Sequence, residues 1–318
     1  MARNQGKVGQ GADEVVLQLP LACQEEAAAT EFMERQRWGD TPKCAHCQSV
    51  KVYKMVDAMT GSRNRRFLWR CHDCKKQYTV KIGTVLEDSR IPLRHWAYAF
   101  WRASTSKKGV AALEIQRQTG LSYKSALFMM HRIRFAMATP DAPKLKGVVE
   151  ADETYVGGKP RIRGANKRGR GTAKTPVFAV VERNGEARAK VVSRVTAPNL
   201  RRVMKEMVDE SQSSLMTDDF KAYGPIGRSF SGGHQSVNHG RKEYARGNVH
   251  CNTAESLFAI VKRGMYGIYH SVSKHHLHRY VAEYQFRWNG RDLSDGERTV
   301  KAIKGAEGKR LYYKEPAA

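Results

Sequence analysis

Two Cys-x2-Cys pairs, Cys44/Cys47 and Cys71/Cys74, stand 23 residues apart in this chain and restrict what residues 41–90 can become. Each pair presents two thiolates at the spacing of a metal knuckle, and four thiolates close a tetrahedral Zn2+ site against solvent. The runs VYKMV (52–56), RRFLWRC (65–71) and KQYTVKI (76–82) around them alternate and are rich in aromatic and β-branched residues. They read as short strands with a Gly-containing turn near residues 60–64, which describes a zinc ribbon rather than disulfides or a redox pair. A segment too small for its own core then folds around its ion. His46 and His72 lie inside the knuckles as substitute ligands, outranked by four cysteines, whereas Cys23 and Cys251 lack a matching pair.

Charge narrows the partner. Lysine and arginine outnumber acids 56 to 31 over 318 residues, a formal charge of +25. Such an excess points to a polyanion, because neutralised phosphates release counterions and supply most nonspecific affinity. A hydrophobic fraction of 41% is ordinary for a globular chain and argues against wholesale disorder. No run approaches the roughly 18–20 apolar residues of a membrane span. MARNQGKVGQGADEVV at the start lacks the apolar core of a signal peptide, so a cytoplasmic location and no membrane partner are expected.

Along the chain, residues 1–20 read as a flexible leader and LACQEEAAATEFMERQRWG (21–39) as one amphipathic helix; together they form a first region, 1–40. The ribbon (41–90) is followed by a helical region, 91–140. Within it GVAALEIQRQT (109–119), Gly120 and SYKSALFMMHRIRFAMA (122–138) have the outline of a helix-turn-helix. Ser122 is the expected N-cap, and Ser122, Tyr123 and Lys124 occupy the N-terminal turn that usually meets DNA. A plain helical hairpin is the alternative. Pro140 and Pro143 mark a linker to a third region, 147–291, and a tail, 292–318, carries no readable motif.

From Gly147 the pattern is mixed. A strand ends at Asp152, and a basic loop follows (156–174). Its Arg161, Arg163, Lys167 and Arg168 form either a solvated excursion or an arm lying along DNA, the latter favoured by charge density. PVFAVVER (176–183) and ARAKVVSRV (187–195) form a hairpin at Asn184-Gly185. Next come a helix (197–211), a strand ending at Asp218, a short strand (234–239), a helix over CNTAESLFAIVKRG (251–264) and a long helix (276–290). Three strands, helix, strand, loop, strand, helix matches a ribonuclease-H-like α/β core, with its carboxylates on one sheet face. The expected class is therefore a multidomain α/β protein.

Asp152 and Asp218 at strand ends and Glu255 on a helix are spaced as carboxylates that a fold gathers around divalent metal. Hard cations held this way can activate an attacking oxygen and stabilise a leaving one in phosphoryl transfer, work that suits Mg2+ (or Mn2+). Lys262, seven residues after Glu255, returns to the same helix face and would approach a DNA phosphate. Neighbours compete at each position: Glu150 and Glu153 beside Asp152, Asp219 beside Asp218, and Asn252 before Glu255 as ligand or helix cap. His239 and His250 flank the basic segment YARGN (244–248), where a structural or DNA-contacting role outweighs catalysis.

The segments EADETYVGGK (150–159), TDDFKAY (217–223), VNHGRKEY (237–244), HCNTAESLFAIVKRGMYGIYH (250–270) and SKHHLHRYVAEYQFRWNGR (273–291), with RQRWGDTPKCAHC (35–47) and the second knuckle upstream, carry a resemblance. Across residues 25–291 the chain resembles bacterial insertion-sequence transposases of the DDE superfamily, in the ISXO-like group with an N-terminal zinc ribbon. That resemblance places the family's acids on Asp152, Asp218 and Glu255 and its lysine on Lys262; some relatives have Asn at the third acid. It implies binding to the terminal inverted repeats of the element, strand cleavage by water, and transfer of the 3′-hydroxyl into target DNA. Double-stranded DNA is thus the expected partner, bound by a homo-oligomer that joins two ends in a bacterial nucleoid.

Overall fold

Leu19 and Ala22 are fully buried, so the segment expected to be a flexible leader is structural from Ala12 onward. In this computed structural model, which describes residues 12–158 and 174–312, the single helix expected over 21–39 is two: α1 (Ala12–Gln24) and α2 (Glu26–Trp38). Glu25 leaves the helical region with φ −111° and ψ 133°. The break sets Glu26 at the start of α3 (Leu93–Thr105), where its carboxylate accepts from the Leu93 and Arg94 amides at 2.7 and 3.1 Å. Pro92, at the N-cap of α3, offers no side-chain acceptor, so this distant carboxylate satisfies the orphan N–H groups.

Contacts divide the chain into two units, Met1–Ala138 with Asp292–Ala318, and Thr139–Arg291. In the first, β1 (Val52–Lys54), β2 (Trp69–Cys71) and β3 (Gln77–Tyr78) pair antiparallel in that order. The third strand is shorter than expected, because residues 79–82 leave the ladder for turns. The ligand sulfurs of Cys44, Cys47, Cys71 and Cys74 all lie within 4.8 Å of one another, with Cys44–Cys74 and Cys47–Cys71 at 3.6 Å. Four thiolates about 2.3 Å from one ion at tetrahedral corners stand about 3.8 Å apart, so the cluster fits Zn2+. Backbone N–H groups of Cys74 and Asp73 lower the Cys71 thiol, while hydrogen bonds from the other three cysteines raise the Cys47 thiol, so the four share their protons as one group.

Trp38 of α2 meets Trp69 and Tyr78 edge-on at 5.6 and 6.0 Å and caps the ribbon. Beneath it the buried Glu34 accepts from Trp69 Nε1 at 2.7 Å and pairs with Arg63, which ties helix to ribbon. Then α4 (Ala112–Thr119) ends at Gly120, left-handed with φ 71°, and α5 (Tyr123–Met137) begins under the Ser122 hydroxyl, which accepts from Ser125 N. The C-terminal segment, unreadable in sequence, belongs to this unit. Its α10 (Asp295–Lys304) starts in a capping box of Ser294 and Glu297 and joins α3 through Ser104 Oγ and Thr299 Oγ1, 2.9 Å apart. At Gly305 a Cβ would stand 2.5 Å from the Ala136 carbonyl, so no other residue fits so close to α5.

The second unit is built on β4 (Leu145–Val156), β5 (Thr175–Glu182), β6 (Ala187–Val191), β7 (Val208–Asp218) and β8 (His234–Val237), in the order β6-β5-β4-β7-β8. β5 runs antiparallel to β4 and β6, while β7 is parallel to β4 and to β8. One face packs α6 (Ala197–Met207) and α7 (Tyr223–Gly227) on Val149, Ala151, Phe178 and Val180. The other packs α8 (Asn252–Gly264) and α9 (Leu277–Asn289) on Val177, Ala179 and Val181. Several boundaries differ from the sequence reading, β6 among them, which ends at Val191 rather than at 195. β4 continues past Asp152 to Val156 because β5 pairs with it that far, and α6 stops at Met207 because Val208 turns extended and pairs with Leu145. The hairpin at Asn184-Gly185 is present with Asn184 alone in the left-handed region, φ 59°.

One zinc per chain is the expected metal content. Cys44→Ser and Cys71→Ser should each release it and expose Trp38 and Trp69, read as a red shift of tryptophan emission; metal-free protein with unshifted emission contradicts the ribbon.

Candidate active site

Period-two alternation sorts the acids of β4. Val149 and Ala151 point to the α6 side, so Glu150 and Asp152 point to the α8 side and Glu153 does not. Glu153 instead accepts a 2.7 Å hydrogen bond from the hydroxyl of Tyr223, a fully buried side chain under the opposite face. The parallel pairing of β4 with β7 ends with Val149 opposite Leu215 and Glu150 opposite Met216, two residues short of Asp152 on one strand and of Asp218 on the other, and the Asp218 charge acts on the Asp152 carboxyl. Adjacent strands in register therefore bring these two carboxylates to one edge of one face. Asp219, next in sequence, is exposed in the bend just past the end of β7.

The third acid arrives on α8. Its N-terminal N–H groups find no side-chain cap, since Cys251 occupies the cap position and Asn252 is the first helical residue. Glu150 takes that role from across the sheet. Its fully buried carboxylate accepts from Thr253 N at 2.7 Å, Ala254 N at 3.2 Å and Thr253 Oγ1 at 2.9 Å. Arg183, just past β5, donates to Glu150 at 2.7 Å and to the Asn248 and His250 carbonyls at 2.7 and 3.1 Å. A buried carboxylate costs several kcal/mol unless paired and bonded; here a guanidinium and a helix N-terminus compensate it together. The consequence is positional: the first turn of α8 is pinned at Glu150, two residues from Asp152 along β4, and that same turn carries Glu255.

Burial pushes the Asp152 carboxyl up to about 7, and the charges of Glu153, Asp218 and Glu255 push it the same way, against one lowering bond from Glu153 N at 2.7 Å. Burial first, and then the charges of Asp152, Glu150, Asp218 and Glu255, also raise the Cys251 thiol. The charges of Asp218 and Glu255 thus reach both Asp152 and Cys251. As a trio the acids do not draw as close as the cysteines, whose group alone among the described residues brings its ligand atoms within 4.8 Å. The donor set fits a hard divalent cation: carboxylate oxygens only, with an accumulation of negative charge that a cation would offset.

Around this centre, Asp218 Oδ1 accepts from Phe220 N at 3.1 Å, and Thr217 Oγ1 meets His234 Nε2 at 2.8 Å. Glu255 is exposed with His239 Nδ1 4.0 Å away. Lys262 is exposed two turns on, in the last turn of α8, which continues as a π-helical turn, Met265–Tyr269. Ser122, Tyr123 and Lys124 are exposed at the start of α5 in the other unit. Arg161, Arg163, Lys167 and Arg168 lie outside the described residues. The sequence reading weighed Glu150 only as a rival to Asp152 and passed over Arg183 and Tyr223. The readable signal was an acid two positions before Asp152, on its face; its partner at the α8 N-terminus is 103 residues away.

A carboxyl held at about 7 in the folded chain, against 3.8 ordinarily, favours the protonated native state. The native state therefore loses stability as pH rises from about 3.8 to about 7. Asp152→Asn should raise the melting temperature of metal-free protein at pH 8, and by less at pH 5. Equal melting of the two proteins at both pH values, by calorimetry, contradicts this.

Comparison with known proteins agrees with this architecture. Residues 24–77 match a transposase zinc-ribbon domain, and residues 144–289 match an ISXO2-like transposase domain. A relative described as an uncharacterized protein in transposable element ISH50, from Halobacterium salinarum, is 30% identical over 279 residues, spanning 82% of this chain and 90% of the relative. The chain belongs to the ISXO2-like transposase family.

Proposed function

We propose that this transposase cuts DNA at the ends of its element and joins the freed 3′-ends to target DNA, using Asp152, Asp218 and Glu255 as the catalytic acids. The observation that carries the reading is the elevation of Asp152 by burial and by the charges of Glu153, Asp218 and Glu255, three of these four acids lying far apart in sequence. A ribonuclease-H-like core is part of the proposal. In its support, the first three strands form a meander whose middle strand is antiparallel, and two parallel strands extend the other side.

Mg2+ or Mn2+ held by Asp152, Asp218 and Glu255 would activate the attacking oxygen and offset charge on the leaving one. The chain's own groups arrange the rest. Asp152 and Asp218 hold their separation through the β4–β7 register, and Glu255 through the Glu150–α8 bond. Lys262, on the same helix, would hold a DNA phosphate near the carboxylates. DNA recognition is assigned to the start of α5, with Ser122, Tyr123 and Lys124 exposed there, to the basic loop bearing Arg161, Arg163, Lys167 and Arg168, and to the ribbon. Joining two ends calls for a homo-oligomer on DNA.

Linear DNA carrying the inverted repeats that flank the element is the test substrate. Asp152→Asn and Asp218→Asn should each cut strand cleavage by roughly 10³-fold or more while repeat binding stays within about twofold. Wild-type cleavage by either variant contradicts the assignment, and cleavage that never yields joined products reassigns the centre to a nuclease.

A further inference from the structure

Tyr244 is 61% exposed, the most exposed aromatic ring among the described residues, yet it stands on a defined loop. Val249, at the far end of that loop, is buried with Met216 and Val237 under β7 and β8. Arg246 and Val249 exchange backbone hydrogen bonds of 2.9 and 3.0 Å, and the Arg246 guanidinium donates to the Ser236 carbonyl at 3.2 Å. At the near end, the Glu243 carboxylate accepts from Asn238 N at 3.1 Å, and the Asn238 side chain accepts from Arg241 N at 3.0 Å. The loop therefore holds the ring in water against the hydrophobic effect.

The ring does have one neighbour. His239 lies 5.4 Å away, centroid to centroid and tilted by 40°, and its Nδ1 is 4.0 Å from Glu255 Oε1. A chain of contacts thus runs from a proposed catalytic acid through an imidazole to a free aromatic face. Arg241, Lys242 and Arg246 are exposed within three residues of Tyr244 along the same loop, Arg246 in an ion pair with Glu243 at 3.4 Å. Aromatic faces flanked by cations are how proteins hold unpaired nucleotides: the ring stacks on the base and the cations take the phosphates. A base in an intact duplex is stacked on its neighbours and could not use this face.

We infer that Tyr244, backed by His239, is a stacking subsite for one unpaired nucleotide of the DNA, next to the phosphate that the acids act on. This rests on the reading of Asp152, Asp218 and Glu255 as the catalytic centre for its location, but not for its test. Stacking on this ring gives the protein a preference for DNA whose strands are already opened or frayed beside the cut, a selectivity that base-pair readout alone does not supply.

The test uses full-length protein without divalent metal, so cleavage plays no part. The probes are a blunt DNA duplex and the same duplex with a three-nucleotide single-stranded overhang, each carrying 2-aminopurine at the junction. Wild-type protein should bind the overhang duplex more tightly and quench its 2-aminopurine. Tyr244→Ala should reduce overhang binding roughly 5- to 150-fold and abolish the quenching, with blunt-duplex affinity and melting temperature unchanged. Tyr244→Trp should restore both. The inference is overturned if wild-type shows no overhang preference, if the alanine variant keeps it, or if that variant weakens both duplexes equally. No readout here depends on metal or on strand cleavage, so failure of this subsite and failure of the catalytic assignment give separate results.

Discussion

The bond between the Glu150 carboxylate and the first turn of α8 is the interaction on which the candidate site depends. β4 and β7 alone yield two carboxylates, because their parallel pairing ends two residues before both Asp152 and Asp218. The third acid is on a helix separated from β8 by residues 238–251, and nothing in the strand register places it. Glu150 does so by accepting three hydrogen bonds at residues 253–254, in the same first turn as Glu255, with Arg183 neutralising it and holding the approach to the helix. A charge this buried is retained at a cost, and the geometry explains what is gained. One strand then carries both an acid for the centre and the fastening for the element that brings its partner.

The two units divide the chemistry by ligand hardness. Four sulfurs in the ribbon form a closed soft-donor site whose ion is structural, while the second unit gathers oxygen donors at a partly open edge suited to a cation that exchanges water and phosphate. An overall charge of +25 surrounds both. Within the second unit the positive charge includes Lys262, Arg241, Lys242 and Arg246, on the same helix as Glu255 or on the loop before it, so the element that completes the acidic centre also brings the cations that would hold a polyanion against it.

Features that depend on neighbours in sequence were legible. The cysteine spacing, the Asn-Gly hairpin and the Ser122 cap are each local patterns with a local physical cause. What escaped reading depends on partners far along the chain. The break at Glu25 makes sense only once Glu26 is seen at the start of α3, 67 residues on. The segment after Arg291 looks featureless because its buried face meets α3 and α5 rather than itself. β4 runs on past Asp152 because β5 is there to pair with it, which residues 153–156 do not announce. Glu150 stood as an ambiguity beside Asp152, and only the distant Thr253 and Arg183 show what it does.

Iron-directed hydroxyl-radical cleavage of the polypeptide tests most directly whether the three acids share one divalent-cation site. Fe2+ replacing Mg2+, with ascorbate and peroxide, should cut the backbone near Asp152, Asp218 and Glu255 together, and excess Mg2+ should suppress all three cuts in parallel. Cuts confined to one of these segments, or cuts that excess Mg2+ leaves unchanged, would contradict the account.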